Sequence, residues 1–225
     1  MSVATFLSGR STTEIAADLL GRQLRLQTPT GPLVAWITET EAYLGSRDAG
    51  AHAFKNHQTP RNQALWRAAG TIYIYQMRTQ FLLNLVTQAA GTPECVLIRG
   101  IEPANQWTQQ QMLQRRPGPI SNLTNGPGKL MQALGLDKTL NGTLLQARTL
   151  DLVLTGGRQP QQVGTSPRIG IVNKGDWTTA PLRYYVKKNP FVSNSRRRDQ
   201  DLQQRGWQSS ELGGTVKNAM DRSNR

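Results

Sequence analysis

The sequence predicts an α+β fold. Many short apolar segments are rich in β-branched and aromatic residues, and helical periodicity is confined to a few stretches scattered among them. Strand and helix do not alternate as a parallel βαβ series requires. The 225 residues fit one large domain.

Ser11 to Leu20 carries the first helical pattern. Ser11 and Glu14 have capping-box spacing, Ile15, Leu19 and Leu20 form an apolar stripe, and Gly21 supplies a C-terminal cap. Leu24 to Thr28 and Leu33 to Glu41 predict two strands around the turn Pro29-Thr30-Gly31-Pro32. Leu44 to Gln63 lacks periodicity and predicts a long loop, a length usually kept for function or disorder. Strands follow at Thr71 to Gln76, Phe81 to Thr87 and Cys95 to Ile101. A polar helix is expected at Asn105 to Arg115. A second runs from Pro127 to Leu134, with proline at its start and Gly135 at its end. Leu150 to Leu154, Arg168 to Val172 and Arg183 to Val186 complete the strands.

The chain holds 27 Lys+Arg against 14 Asp+Glu, a formal charge of +13. Residues 1–193 are expected to form the folded domain and to hold +10 of it. Residues 194–225 hold +3, are polar and lack periodicity, which predicts a flexible tail. A pI near 10.7 points to a polyanionic partner, nucleic acid first. No apolar stretch is long enough to span a bilayer, and the N-terminus lacks a signal-peptide pattern, so an intracellular protein without membrane contact is expected. One cysteine excludes an intramolecular disulfide, and one cysteine with two histidines is too few for a structural zinc site. Gly126-Pro127-Gly128-Lys129 lacks the spacing of a phosphate loop and has Leu130 where serine or threonine would stand.

Three segments bear chemistry. Thr38 to Gly45 places Glu39, Glu41 and Tyr43 on one strand face. Gly70 to Tyr75 places Tyr73 and Tyr75 together. Cys95 to Pro103 ends an apolar strand with Arg99 and Glu102. A carboxylate at a strand end in a body so basic should stay ionised, as a base for activating water must. By themselves these residues are better described as a surface carboxylate, core tyrosines and a salt-bridging arginine.

Together they point further. The chain resembles the alkyladenine (3-methyladenine) DNA glycosylase family. The resemblance runs through Thr38-Glu39-Thr40-Glu41-Ala42-Tyr43-Leu44-Gly45, Asp48, Ala51-His52, Gln58-Thr59-Pro60-Arg61-Asn62 and Gly70-Thr71-Ile72-Tyr73-Ile74-Tyr75. It continues through Asn84, Cys95-Val96-Leu97-Ile98-Arg99, Glu102-Pro103 and Asn125-Gly126-Pro127-Gly128-Lys129-Leu130. It closes with Arg168-Ile169-Gly170-Ile171, Asp176-Trp177 and Pro181-Leu182-Arg183-Tyr184-Tyr185-Val186.

The resemblance implies a single domain with a curved, largely antiparallel sheet flanked by helices, working without metal or cofactor as a monomer. It implies a partner, double-stranded DNA carrying an alkylated or deaminated purine, bound from the minor groove with the damaged nucleotide flipped out. Glu41 matches the general base that activates a water, and Arg99 the arginine that helps hold it. Tyr43, His52 and Tyr75 match the aromatic walls around the flipped base. Asn84 matches the residue that obstructs the amino group of normal guanine. Thr59 and Arg61 match backbone contacts. The family's Tyr-Gly-Met hairpin tip is replaced by Gln76-Met77-Arg78-Thr79, one residue shorter before Asn84, which leaves Met77 and Arg78 as the wedge candidates.

Overall fold

The computed structural model describes residues 1–209. Helices α1 (Val3–Phe6) and α2 (Thr12–Asp18) open the chain. The expected capping box forms: the Ser11 side chain accepts from the Glu14 N–H, and Glu14 accepts from the Ser11 N–H at 3.0 Å. Strands β1 (Gln23–Leu26), β2 (Leu33–Tyr43), β3 (Ile72–Met77), β4 (Gln80–Thr87) and β5 (Glu94–Pro103) follow. Next come α3 (Gln106–Arg115) and α4 (Pro127–Leu134), then β6 (Leu150–Val153), β7 (Val163–Ser166) and β8 (Arg183–Val186).

The strands form one antiparallel sheet in the order β3-β4-β5-β2-β1-β6. Strand β2 pairs with β5 along one edge. Its other edge is shared: Leu33–Trp36 pair with β1, whereas Glu39–Glu41 pair with β8, which in turn pairs with β7. The sheet therefore branches and curls at β2. Register shifts flank Glu39, opposite Gly100. A Cβ on Gly100 would stand 2.5 Å from the Phe191 carbonyl oxygen, so only glycine admits the covering loop here.

Strand alternation divides the sheet's two faces. Ile72 and Ile74, Leu83 and Leu85, and Val96 and Ile98 point into the main apolar core with Ile15 of α2 and its C-terminal cap Leu19, Met112 of α3, and Leu130 and Leu134 of α4. The intervening residues (Tyr73, Tyr75, Asn84, Cys95, Leu97, Arg99) face the other way. There Tyr73, Val86 and Cys95 make a smaller cluster with Ala53, Ala64 and Leu65. The helices thus carry the core, and the opposite face is left to hold polar groups.

Three expectations need correction. The strand expected at Arg168 to Val172 is absent, and β7 lies just before it. Arg168 is committed to hydrogen bonds with Ala42 and Asp48, and Gly170 adopts φ +83°, so this stretch is a loop. The long loop from Leu44 to Gln63 is not structureless, but contains 3₁₀ turns at Gly45–Arg47, Phe54–Asn56 and Pro60–Trp66. The boundary expected at residue 194 is no boundary as far as residue 209. Trp207 is buried, and its indole N–H donates to Glu102 at 2.8 Å. The same carboxylate accepts from Asn189, Arg158 and Arg205. One tryptophan and a carboxylate with four donors anchor a segment whose own sequence is polar. The rest of the expected tail, 210–225, lies outside the described residues.

Trp207→Ala removes a buried aromatic and one donor to Glu102. It should destabilise the protein by about 3–5 kcal/mol in urea denaturation. A loss below about 1 kcal/mol would mean that the segment adds nothing to the fold.

Candidate active site

Strands β2 and β5 bring the polar groups together. Glu39, Glu41 and Arg99 are all buried. Arg99 donates from Nε to Glu39 at 3.0 Å, and its Nη1 lies 3.3 Å from Glu41 Oε1. Glu39 also accepts from Arg183 Nε at 2.7 Å and from the Ser193 N–H at 2.6 Å. Two carboxylates and two guanidinium groups make a neutral buried cluster. Burial pushes the Glu39 carboxyl up, but Arg183, Arg99 and Ser193 outweigh it, and its pKa falls below the ordinary value.

Glu41 behaves differently. Its Oε1 accepts from the Ile169 N–H at 2.7 Å, and its Oε2 from the Tyr43 hydroxyl at 2.9 Å. Burial is the largest influence and raises its pKa, against Arg99, Ile169 and Tyr43. Its hydrogen-bond partners are donors, so the anion is the form those bonds fit, while the nearby Glu39 charge adds to the rise; the raised pKa makes the anion a better proton acceptor. Burial and the Glu41 charge raise the Tyr43 phenol well above its usual range, so Tyr43 stays protonated and donates.

Above Glu41 opens a cavity of about 280 Å³. Tyr43 and Ile169, which donate to Glu41, and Arg99, its ion-pair partner, all line it, whereas Glu41 lies one layer beneath. His52, Tyr75 and Asn84 line it as well, so the cavity gathers all the expected base-pocket residues. His52 and Tyr75 form one wall, with ring centroids 3.8 Å apart and 32° between planes. His52 Nδ1 lies 2.9 Å from the Tyr73 hydroxyl. Desolvation, with the Arg61 charge adding to it, lowers the His52 pKa to about 4, so the imidazole is neutral at physiological pH. Asn84 is fixed by two bonds from its amide nitrogen, to the Tyr73 and Leu82 carbonyls at 3.1 and 3.2 Å. The buried Cys95 thiol lies 3.8 Å from its oxygen, and burial pushes that thiol's pKa up.

The residues expected at the backbone, Thr59 and Arg61, do not line the cavity. The Thr59 N–H donates to Asn62 Oδ1 at the start of a 3₁₀ turn. Arg61 is exposed, donates to the Gln76 carbonyl and lies over the Tyr75 ring at 5.3 Å. The β3–β4 hairpin ends in Arg78-Thr79, with Arg78 at φ +55°. Met77, half exposed, lines the cavity mouth beside this tip.

Sequence reasoning did not single out the strut behind the cavity. Asp48 and Arg168 are a fully buried bidentate pair. Asp48 also accepts from the Leu44 and Gly50 N–H groups, and the Arg168 guanidinium packs 4.6 Å from the Tyr43 ring centroid. The pair joins the loop bearing His52 to the loop bearing Ile169. A Cβ on Gly50 would stand 2.5 Å from Arg168, so glycine is needed for this approach. Glu102, which shares a segment with Arg99, serves the C-terminal anchor instead. Lys129 of the glycine-rich stretch donates to Asn122 and Asn125. Among the described residues no cluster of three or more His, Cys, Asp or Glu could hold a metal ion, and no helix is long and apolar enough to cross a membrane.

A family model described as Methylpurine-DNA glycosylase (MPG) matches residues 6–190. Similar proteins named "Putative 3-methyladenine DNA glycosylase" occur in several bacteria. That of Lactiplantibacillus plantarum is 69% identical over 206 residues, 92% of this chain and 98% of the relative. That of Latilactobacillus sakei is 46% identical over 204 residues (90% and 95%), and that of Enterococcus faecalis 45% over 203 (90% and 88%).

Asp48→Asn leaves the Arg168 charge buried without its counter-charge and should cost about 3–5 kcal/mol in urea denaturation. Adding Arg168→Met should recover part of that loss. No recovery would show that Asp48 acts through its backbone contacts alone.

Proposed function

The chain belongs to the methylpurine-DNA glycosylase family, and from that premise we propose that it is a monofunctional DNA glycosylase of base excision repair. It flips an alkylated or deaminated purine out of duplex DNA and hydrolyses the N-glycosidic bond, leaving an abasic site. The observation that carries this reading is the cavity with aromatic walls in which three lining residues, Tyr43, Arg99 and Ile169, hold a buried glutamate. Its volume suits a single base, below the usual range of about 300–1,000 Å³ for small-molecule pockets.

The damaged base stacks between Tyr43 on one side and the His52–Tyr75 pair on the other. Such stacking contributes about 1–3 kcal/mol per base. Cationic alkylpurines gain further from electron-rich ring faces, and a neutral His52 does not repel them. Asn84, held by backbone carbonyls, cannot swing away from an exocyclic amino group, so selection against normal guanine is built into β4. A small shift of the Ile169 loop exposes Glu41 Oε1 to a water at the cavity floor. Glu41 takes the water's proton as its oxygen attacks the sugar's anomeric carbon. The base departs with the electrons of the broken C–N bond, and Arg99 orients the water and keeps Glu41 anionic until then. Water is the nucleophile, so the phosphate backbone stays intact. Duplex DNA is approached from the minor groove, Met77 and Arg78 fill the space that the flipped nucleotide leaves, and Thr59 and Arg61 flank the entry.

Glu41→Gln should lower single-turnover base release from a hypoxanthine-bearing duplex by about 10²–10⁴-fold while lesion binding persists. The base works only deprotonated and its pKa is raised, so the wild-type rate should fall with acidification above the ordinary carboxylate range. The residual rate of the variant should show no such limb. A wild type that releases no base from a panel of alkylated and deaminated duplexes would overturn the enzyme reading.

Met77→Ala and Arg78→Ala should slow excision from duplex more than from the same lesion in a single strand. Equal losses on both substrates would remove the hairpin tip as the wedge.

A further inference from the structure

Residues 183–201 build a second groove, of about 670 Å³, that shares no lining residue with the aromatic cavity. Its rim carries Lys187, Lys188, Arg196 and Arg198. A smaller hollow lined by Gln161, Gln162, Lys187 and Lys188 continues from it. The window from Arg183 to Arg198 holds six bases and no acid, the densest positive stretch of the chain. Among the described residues Lys187, Lys188 and Arg196 have no carboxylate within ion-pair distance. The two acids at one end face their own loop: Asp201 accepts from the Gln203 and Gln204 N–H groups, and Asp199 faces Arg198.

The groove is pre-built. Asn189 is fully buried, and its side chain bonds to Glu102, to the Arg205 carbonyl and to the Phe191 N–H. Ser193 is fixed through its N–H to Glu39 and through its carbonyl to Arg183, while its buried hydroxyl has no partner. Lys188 stands at φ +65° and Asn194 at φ +56°, where glycine would be cheaper. A long cation kept at a strained backbone position is a reason to look for its ligand.

We propose that this groove is a second DNA contact that seats the sugar–phosphate backbone of undamaged duplex, independently of any lesion. Only the identity of the polyanion rests on the glycosylase reading. The one aromatic side chain in the groove, Tyr185, already carries the Arg183 guanidinium 4.5 Å from its ring centroid. It offers no free platform for unstacked bases, which favours duplex over single strand. Glu39 links the two sites, because it holds Ser193 of the groove floor and Arg99 of the cavity. Backbone seated here would retain the protein on DNA between lesions.

The test is the salt dependence of binding of the full chain to an undamaged duplex. Each phosphate neutralised contributes about 0.9 to the slope of log K against log salt. Lys187→Gln/Lys188→Gln/Arg196→Gln should lower that slope by about 2–3. Removing the same charge elsewhere, at the exposed Arg115, Lys138 and Arg148 by the same change to Gln, should leave it nearly intact. Tm should stay unchanged in both triple variants, as should single-turnover base release at saturating protein. An unchanged slope in the groove variant, or equal loss in both, overturns the proposal. A larger loss for single-stranded than for duplex DNA overturns the duplex assignment. A wild type that releases no base, yet shows the groove-dependent slope, removes the enzyme reading and leaves the groove standing.

Discussion

The polar face of this sheet depends on one buried guanidinium. Arg99 stands between Glu39 and Glu41, both sealed from solvent. Without it, lost hydration and like-charge repulsion would force a proton onto one of the carboxylates. Arg183 balances the second charge, and this explains the branch of the sheet. Strand β8 must run beside Glu39–Glu41 to deliver Arg183, so β1 can accompany β2 only along its first half. The bulged register at Glu39, the bare Cα of Gly100 and the loop that covers it then follow from fitting the chain around the cluster. Buried ion pairs contribute little net stability once desolvation is counted. This one is better understood as fixing the position and charge of Glu41.

The division of labour between the two sheet faces made much of the fold legible in sequence. Alternation puts Tyr73 and Tyr75 on one strand face, and the structure places them opposite Ile72 and Ile74, which enter the main core. The ends of α4 were readable because proline and glycine mark them chemically. The segments that defied reading take their shape from distant partners. Arg168 to Val172 has the composition of a strand, but the buried demand of Asp48 for a guanidinium turns it into a loop. Residues 194–209 have the composition of a tail, but Glu102, ninety and more positions earlier, waits with acceptor capacity for Arg205 and Trp207. Local pattern carries no trace of such long-range satisfaction of buried charge.

The candidate site residues were legible through the family resemblance rather than through local pattern. Tyr43, His52, Tyr75, Asn84 and Arg99 converge on one cavity because they lie on adjacent strands and on the loop that packs against them. What the sequence could not reveal is the supporting layer. The Asp48–Arg168 strut, the Ile169 N–H and the hold of Asn62 on the His52 and His57 carbonyls come from three separate regions of the chain. Without them the aromatic walls would be present but loosely placed.

The acids need a finer argument than their scarcity. Fourteen are present, and among the described residues four (Glu39, Glu41, Asp48, Glu102) are buried, so a rare carboxylate in a basic body is not by itself a mark of chemistry. Glu39, Asp48 and Glu102 each collect donors from covering loops or the C-terminal segment, and so serve as anchors. Glu41 is the exception in the identity of its donors. A tyrosine hydroxyl, an arginine and a loop N–H serve it, and all three belong to residues that line the cavity. An anchoring carboxylate holds parts of the fold together. Glu41 instead holds the lining of the space in which a substrate would sit, and any molecule that shifts that lining gains access to its charge.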